Sequence, residues 1–485
     1  MNEFDIVERY HEYNRIANSD GFYESVIDLK QFFDIDIHEY LPDETMWYWK
    51  IPKRWHVNKA VLKDLSGNVI VDFNKNPLHL WAYSHSYSGI IERKDLIDNH
   101  IFSNQSFPNF TPFRFRQMVR HWESEWGFSL PHKRIQKLKD DKYQVEIDTY
   151  FTNDPMITFE YTSKGKSDDQ ILIVGHWCHH GIAEDGLSGC SVGIKAIDDL
   201  RKRDHYYTYT FLGGPEIIGP VAYLNKYANL SKKRIKAVLC LNFLGRNDFF
   251  VLYQSINNRS VLDQALAQSI KSFGKEYVKA PYKNIHERKI HPKDYKNTFI
   301  GSGSGDEAPF ECPGVEIPTT ALIRRTPYEV YHTDHDTPER LDQKNLKEAT
   351  EIIVQAFQFL EKNWIPIADF KGLPCLSSPE LQLFYDPPRI SNMPNKEHQK
   401  MSDYILSTYK PEKGNVCLWN LSSHIVYHLQ SGLSILDISE FFDLPFQFVN
   451  DHLLKWHEKK LVHYQKTWEL EKIEKCTSNS NSVPH

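Results

Sequence analysis

Cysteine is scarce and scattered in this 485-residue chain. The seven residues at 178, 190, 240, 312, 375, 417 and 476 contain no CxxC pair, which argues against a disulfide framework and against a cysteine zinc knuckle. Reduced thiols in a reducing compartment are expected. Positive charge is not in excess: 58 Lys and Arg against 64 Asp and Glu leave a net charge of -6, which disfavours a general phosphate-backbone binder while leaving room for a local basic patch. No apolar run approaches bilayer-spanning length, and the start, Met1-Asn2-Glu3-Phe4-Asp5, is acidic and lacks the apolar core of a signal peptide. A cytoplasmic protein that does not engage a membrane is expected. What the chain does have is core-forming material, 40% apolar residues and 13% aromatics, over a length that calls for two or three domains.

Helix-like periodicity runs from Ile6 to Ile16 and from Ser25 to Phe33. Short β-like runs follow between Thr45 and Tyr87, broken by turns at Ser66-Gly67-Asn68 and Asn74-Lys75-Asn76-Pro77. Tyr143 to Asp148 alternates as a half-buried strand. From Asp169 to Trp364 strands and helices alternate, the signature of an α/β domain with a mostly parallel sheet and helices on both faces. The strands are expected at Ile171-Val174, Tyr206-Leu212, Ala237-Phe243, Phe249-Tyr253 and Ile317-Ile323. The expected organisation is an α/β domain from 1–44 and 130–365, an inserted β-rich domain at 45–129, a helix-turn-helix domain at 396–475 and a disordered tail at 476–485. In the third of these, Leu418-Leu429, Ile435-Phe442 and Phe446-Trp456 read as helices, with Leu461-Tyr464 and Thr467-Leu470 as a wing. The candidate recognition helix opens with apolar, slightly acidic residues where a DNA reader offers Arg, Lys or Asn, so packing or dimerisation is expected of it.

Polar chemistry collects at the strand ends. Ile171-Val174 runs into Gly175-His176-Trp177-Cys178-His179-His180, then Glu184-Asp185-Gly186-Leu187-Ser188-Gly189. A second strand ends at Gly213-Gly214-Pro215-Glu216, a glycine-rich stretch closes with Gly305-Asp306-Glu307, and Tyr331-His332-Thr333 follows the last strand. Each alone has a bland reading as a cap or turn. Together they offer imidazoles and carboxylates in the crevice beyond the strand ends, where open α/β sheets bind ligands. Those are the groups zinc prefers.

The order of these motifs resembles the zinc aminopeptidase fold shared with glutaminyl cyclases. It is more closely similar to the aminopeptidase-like proteins found with bacterial polysaccharide-biosynthesis genes, which carry an inserted β domain and a C-terminal winged helix. The resemblance implies that His179, Asp185 and His332 bind zinc, while His176 and His180 flank the first of them and either could be offered in its place. It implies Glu216 as general base, Asp306 as an aspartate that orients a ligand, Glu307 as a pocket residue, and Arg325 as a clamp for a substrate carboxylate. Asp334, His335 and Asp336 are expected to form a solvated turn. Three departures from two-metal members stand out: no His-x-Asp pair leads to Asp185, Ile217 occupies the place of a second glutamate, and Asn242 that of a further aspartate. One zinc is therefore expected rather than two. The implied activity is zinc-dependent hydrolysis of an amide bond in a small-molecule or short-peptide substrate by a homo-oligomer without nucleic acid. The competing expectation is an inactive peptidase-like binding protein that recognises a partner or DNA.

Overall fold

The computed structural model describes residues 1–114, 120–228, 234–258, 260–280, 305–326, 328–385, 396–409 and 418–466. The chain divides into two compact units. One holds Met1–Tyr253, Lys275–Ala280 and the described residues of 305–355; the other holds Gln254–Gly274 and the described residues from Ala356 onward.

The first unit is built on a mixed sheet of β1 (Ile35–Tyr40), β2 (Met156–Ser163), β3 (Gln170–His176), β4 (Thr208–Gly214), β5 (Ile235–Leu241), β6 (Phe250–Tyr253), β7 (Tyr277–Ala280) and β8 (Thr319–Arg324). Their spatial order is β1-β2-β4-β3-β5-β8-β6-β7. The central four, β4, β3, β5 and β8, run parallel, whereas β1 and β2 at one edge and β6 against β8 at the other are antiparallel. The sheet is thus less parallel than expected. The reason at β6 is chain length: β5 ends at Leu241 and β6 begins at Phe250, too short a connection for the crossover that a parallel return needs.

The apolar run of β3 forms a strand because both faces are covered. Leu172 and Val174 pack with Leu212, Val238 and Cys240 and with Tyr223 and Leu224 of the helix Ile218–Lys226. Ile173 on the opposite face meets the helix Gly189–Leu200, where Gly193 lies against Phe211 and Ile173. Side chains alternating across a strand produce this division. From β3 the chain passes to β4 on one side and later to β5 on the other. The C-terminal end of β3 therefore lies at a topological switch point.

A second, antiparallel sheet orders Val69–Asp72, Arg54–Asp64, Lys142–Thr152 and Tyr87–Glu92 side by side. Trp55, Leu62, Val71, Tyr143, Val145 and Ile147 bury one face of it with Phe128 and Leu130. This sheet reaches past the expected boundary at 129, because the alternating strand around Tyr143 pairs here.

In the second unit, Trp364–Ala368 pairs antiparallel with Val462–Lys466 beside the helices Leu418–His428, Ile435–Phe442 and Phe446–Glu458. The helix Val261–Ser272, expected within the α/β domain, belongs here: Gln264 donates to Glu440 at 2.6 Å and Lys271 to Asp443 at 2.9 Å. The expected wing strand Thr467-Leu470, the tail and most of the glycine-rich stretch 301–304 lie outside the described residues. Among the described residues no helix is long and apolar enough to cross a membrane.

Candidate metal centre

Three strand ends and one returning loop build the site. After His176 closes β3, the chain runs to Ala183 and turns at Asp185-Gly186, where Gly186 has φ +93°. A Cβ at Gly186 falls 2.5 Å from the His176 carbonyl oxygen, so only glycine allows Asp185 this close to the strand end. The intervening loop is clamped from inside by Arg15, which is fully buried. Its guanidinium donates to the carbonyls of Trp177, His179 and Ile182, and to that of Tyr10. Burial lowers the guanidinium to about 10.

Asp185 is the centre of the cluster. Its Oδ1 faces His176 Nε2 at 3.0 Å and accepts from Asn242 Nδ2 at 2.8 Å. Its Oδ2 faces His332 Nε2 at 2.7 Å and His179 Nε2 at 3.7 Å. His176, His179 and Asp185 are at most 5% exposed. Burial alone pushes the Asp185 carboxyl up, but His179 and the hydrogen bonds from His176 and His332 outweigh it and hold the group well below the usual carboxylate range. Burial pulls the His179 imidazole well down. At His176 burial is overcome by its bonds to Asp185 and Asp306, which raise it well above the ordinary value. Asn242 Oδ1 is occupied by the N–H groups of Gly186 and Phe243 at 2.7 and 2.9 Å, which turns its NH2 toward Asp185.

Glu216 follows β4 at the turn into the next helix. The backbone there is strained, with Ile217 at φ 61° and ψ -60°, a region costly for a β-branched residue. Asp306 holds that turn by accepting from Ile217 N at 2.8 Å, while its other oxygen faces His176 Nδ1 at 3.0 Å. Glu216 N donates to Cys178 Sγ at 3.2 Å, fixing the same turn to the imidazole loop. The Glu216 side chain is 16% exposed, and its Oε2 lies 3.9 Å from His179 Nε2. That oxygen is buried without a hydrogen-bond partner among the described residues. Burial first, then Asp306, Asp185 and Glu307, push the carboxyl up to about 8 against the opposing field of His176.

These groups open onto a cavity of about 420 Å³ that His176, His179, Asp185, Glu216, Asp306, Glu307 and His332 all line. Its other wall is largely apolar, with Leu241, Phe243, Tyr253, Ala321 and Ile323. Arg325 is not part of it. That side chain is 45% exposed and donates to Asp248 at 3.0 Å, an ion pair that leaves it outside the lining. The expected solvated turn is also different. Asp336 is buried, accepts from Glu184 N at 2.9 Å and from Tyr328 Oη, and burial pushes its carboxyl up to about 7. Asp334 accepts from Thr111 N and Asn76 Nδ2, both at 2.9 Å. His180 is buried with its ring 5.3 Å from that of Phe113, its imidazole lowered to about 3 by burial and then by the Arg15 charge. His176 therefore has a stronger place in the cluster than its position before His179 suggested, and Arg15 and Phe113 carried no sequence signal.

The donor set fits zinc. One side-chain donor atom from each of His176, His179 and Asp185 lies within 4.8 Å of the others, all buried, and imidazole with carboxylate is what zinc takes. The Asp306 contact to His176 Nδ1 is the kind that fixes a ligand imidazole's tautomer and leaves Nε2 for a metal.

The sequence profile of the family described as Domain of unknown function (DUF4910) matches residues 4–363. The chain belongs to this family. A candidate polysaccharide biosynthesis protein with an aminopeptidase-like domain from Clostridium acetobutylicum is 24% identical over 364 residues, covering 74% of this chain and 78% of that protein. The crystal structure of a candidate peptidase from the same organism aligns with a TM-score of 0.74 at 19% identity, over 96% of each chain. The zinc aminopeptidase BSAP from Bacillus subtilis aligns with a TM-score of 0.51 at 15% identity, over 73% of this chain and 93% of its own. At these identities the two structures show the fold. This DUF4910 member has the α/β architecture of aminopeptidase-like proteins.

Proposed function

We propose that this protein is a zinc-dependent hydrolase that cleaves an amide bond in a small substrate. The observation that carries the reading is the convergence of His176, His179 and His332 on the two oxygens of Asp185, beside a buried Glu216 Oε2 that has no hydrogen-bond partner among the described residues. His179, Asp185 and His332 would hold the ion, with His176 as a further donor on the other side of the carboxylate. Bound zinc supplies Lewis acidity, polarising a carbonyl and bringing water into range of ionisation near neutral pH. One ion is favoured over two by Asn242: its amide NH2, not its oxygen, faces Asp185 Oδ1, and an N–H dipole opposes a second cation there. Glu216 takes the proton of the attacking water at Oε2 and returns it to the leaving amine nitrogen. Asp306 and Ile217 N keep that carboxylate's turn in place, and the apolar wall accepts the acyl side of the substrate. The name of the clostridial relative favours an aminoacyl or N-acyl sugar intermediate, with a short peptide as the other candidate.

The Glu216→Gln variant tests the assignment. It should retain zinc and lose about 10²–10⁴-fold in hydrolysis of an N-acyl or aminoacyl amide that the wild type turns over. Full rate with zinc retained removes Glu216 as the base.

For the second unit we favour a winged-helix packing module over a DNA reader. Phe446, Val449, Leu453 and Trp456 of its last helix are buried, and Asn450 accepts from Trp364 Nε1 at 2.9 Å. A salt-dependent shift of duplex DNA by the full chain would overturn that reading.

A further inference from the structure

We infer that the segment between the two halves of the α/β domain completes the metal centre, with Phe113 as the residue that positions its imidazoles. This rests on the zinc reading above. Phe113 is 4% exposed, and its ring centroid lies 5.1 Å from that of His179, 5.3 Å from His180 and 5.2 Å from His332. It therefore wedges among three imidazoles that come from two distant parts of the chain. Leu78 and Ile182 join it in a small apolar cluster that closes the same side. Phe113 does not line the cavity. It acts on the imidazoles from behind and does not touch substrate.

The backbone beside it has a matching role. His332 sits at φ 55°, a left-handed conformation that a histidine seldom adopts and that persists only when its surroundings impose it. The imposing groups come from the inserted segment. Phe113 N donates to His332 O at 2.8 Å, Pro112 forms a β-bridge with Thr333, and Asp334 N donates to Thr111 O at 3.0 Å. The Asp334 carboxylate then accepts from Thr111 N and from Asn76 Nδ2. Four hydrogen bonds, two of them forming the Pro112–Thr333 bridge, thus tie residues 76–113 to the loop that presents His332. The α/β strands supply His176, His179 and Asp185, while the orientation of His332 relative to His179 depends on a segment outside the large sheet.

The test is zinc affinity, measured by competition with a chromophoric chelator, together with the visible spectrum of the cobalt-substituted protein, which reports coordination geometry. Phe113→Ala should weaken zinc binding about 10–100-fold, the range seen when supporting contacts of a ligand are lost, and should alter the cobalt spectrum. Phe113→Leu, which refills most of the volume, should recover most of the affinity. Asp334→Asn, at a side chain 20% exposed, should weaken zinc in the same direction and serves if Phe113→Ala does not fold. A folded Phe113→Ala protein with wild-type zinc affinity and an unchanged cobalt spectrum overturns the inference. His332→Ala separates the two levels. If it loses zinc while Phe113→Ala and Asp334→Asn do not, the positioning role alone fails; if it also keeps zinc, the metal-centre reading fails with it.

Discussion

Replacing Arg15 should loosen the imidazole loop more than any exposed substitution around the cavity. Its guanidinium is completely buried, and its recorded hydrogen bonds run to the backbone carbonyls of Tyr10, Trp177, His179 and Ile182. Burying that charge has a cost, seen in the guanidinium's fall to about 10. Hydrogen bonds from a charged donor contribute about 1.5–3 kcal/mol each, so four give about 6–12 kcal/mol and leave a net stabilisation. Arg15→Met keeps the apolar volume and removes every donor. It leaves the buried carbonyls of Trp177, His179 and Ile182 to find new partners, while Tyr10 O keeps Tyr13 N at 3.3 Å, and at about 1–3 kcal/mol for each unsatisfied group a loss of at least about 3 kcal/mol follows. Urea denaturation of the metal-free protein, followed by tryptophan fluorescence, measures that loss, and chelator competition measures zinc. Arg15→Lys, with three donors on a point charge, should fall between the two. A loss under about 1 kcal/mol with zinc affinity intact would refute the clamp.

Asp306→Asn should keep one of its two contacts, to His176 Nδ1 and Ile217 N, and lose the other, weakening zinc about 10–100-fold in the same competition assay; wild-type affinity would show that neither contact steers the imidazole. In the second unit, acid should destabilise through His452, whose imidazole burial lowers from 6.5 to about 3. Its folded value is the depressed one, so stability is full above 6.5 and falls as pH drops toward 3, by about 2 kcal/mol at pH 5. Trp456 Nε1 donates to His452 Nε2 at 3.1 Å, the nitrogen that a second proton has to take. Denaturation at pH 7 and pH 5 should show a steeper loss in the wild type than in His452→Gln, and equal slopes would remove His452 as the cause.

The parts of this molecule that could be read from sequence are those governed by local pattern. The run Ile171-Val174 is apolar on both faces, and such a run bounded by glycine reads as a buried strand wherever it occurs. Asp185 was legible only through the resemblance, since a carboxylate before a glycine reads equally well as an ordinary turn. The choice among imidazoles was not local. His176, His179 and His180 lie within five positions, and nothing in that spacing distinguishes a residue facing Asp185 from one packed under Phe113. The strand end reads His176-Trp177-Cys178, a thiol two places after the histidine where a His-x-Asp pair has its acid. The acid is present but comes from Asp306, 130 residues away. The other orienting groups are equally remote: Arg15 reaches His179 O across 164 residues, and Asp334 reaches Asn76 across 258. Buried charges of this kind follow no periodicity, because their partners are carbonyls and imidazoles brought together only by the sheet order. The contrast with Arg325 makes the same point in reverse. As an arginine shortly after the last parallel strand it had the sequence position of a substrate clamp, yet it pairs with Asp248 at the surface. The cavity's charged groups among the described residues are instead Asp185, Glu216, Asp306 and Glu307 beside the histidines. An acidic, imidazole-rich wall is suited to holding a cation and moving a proton.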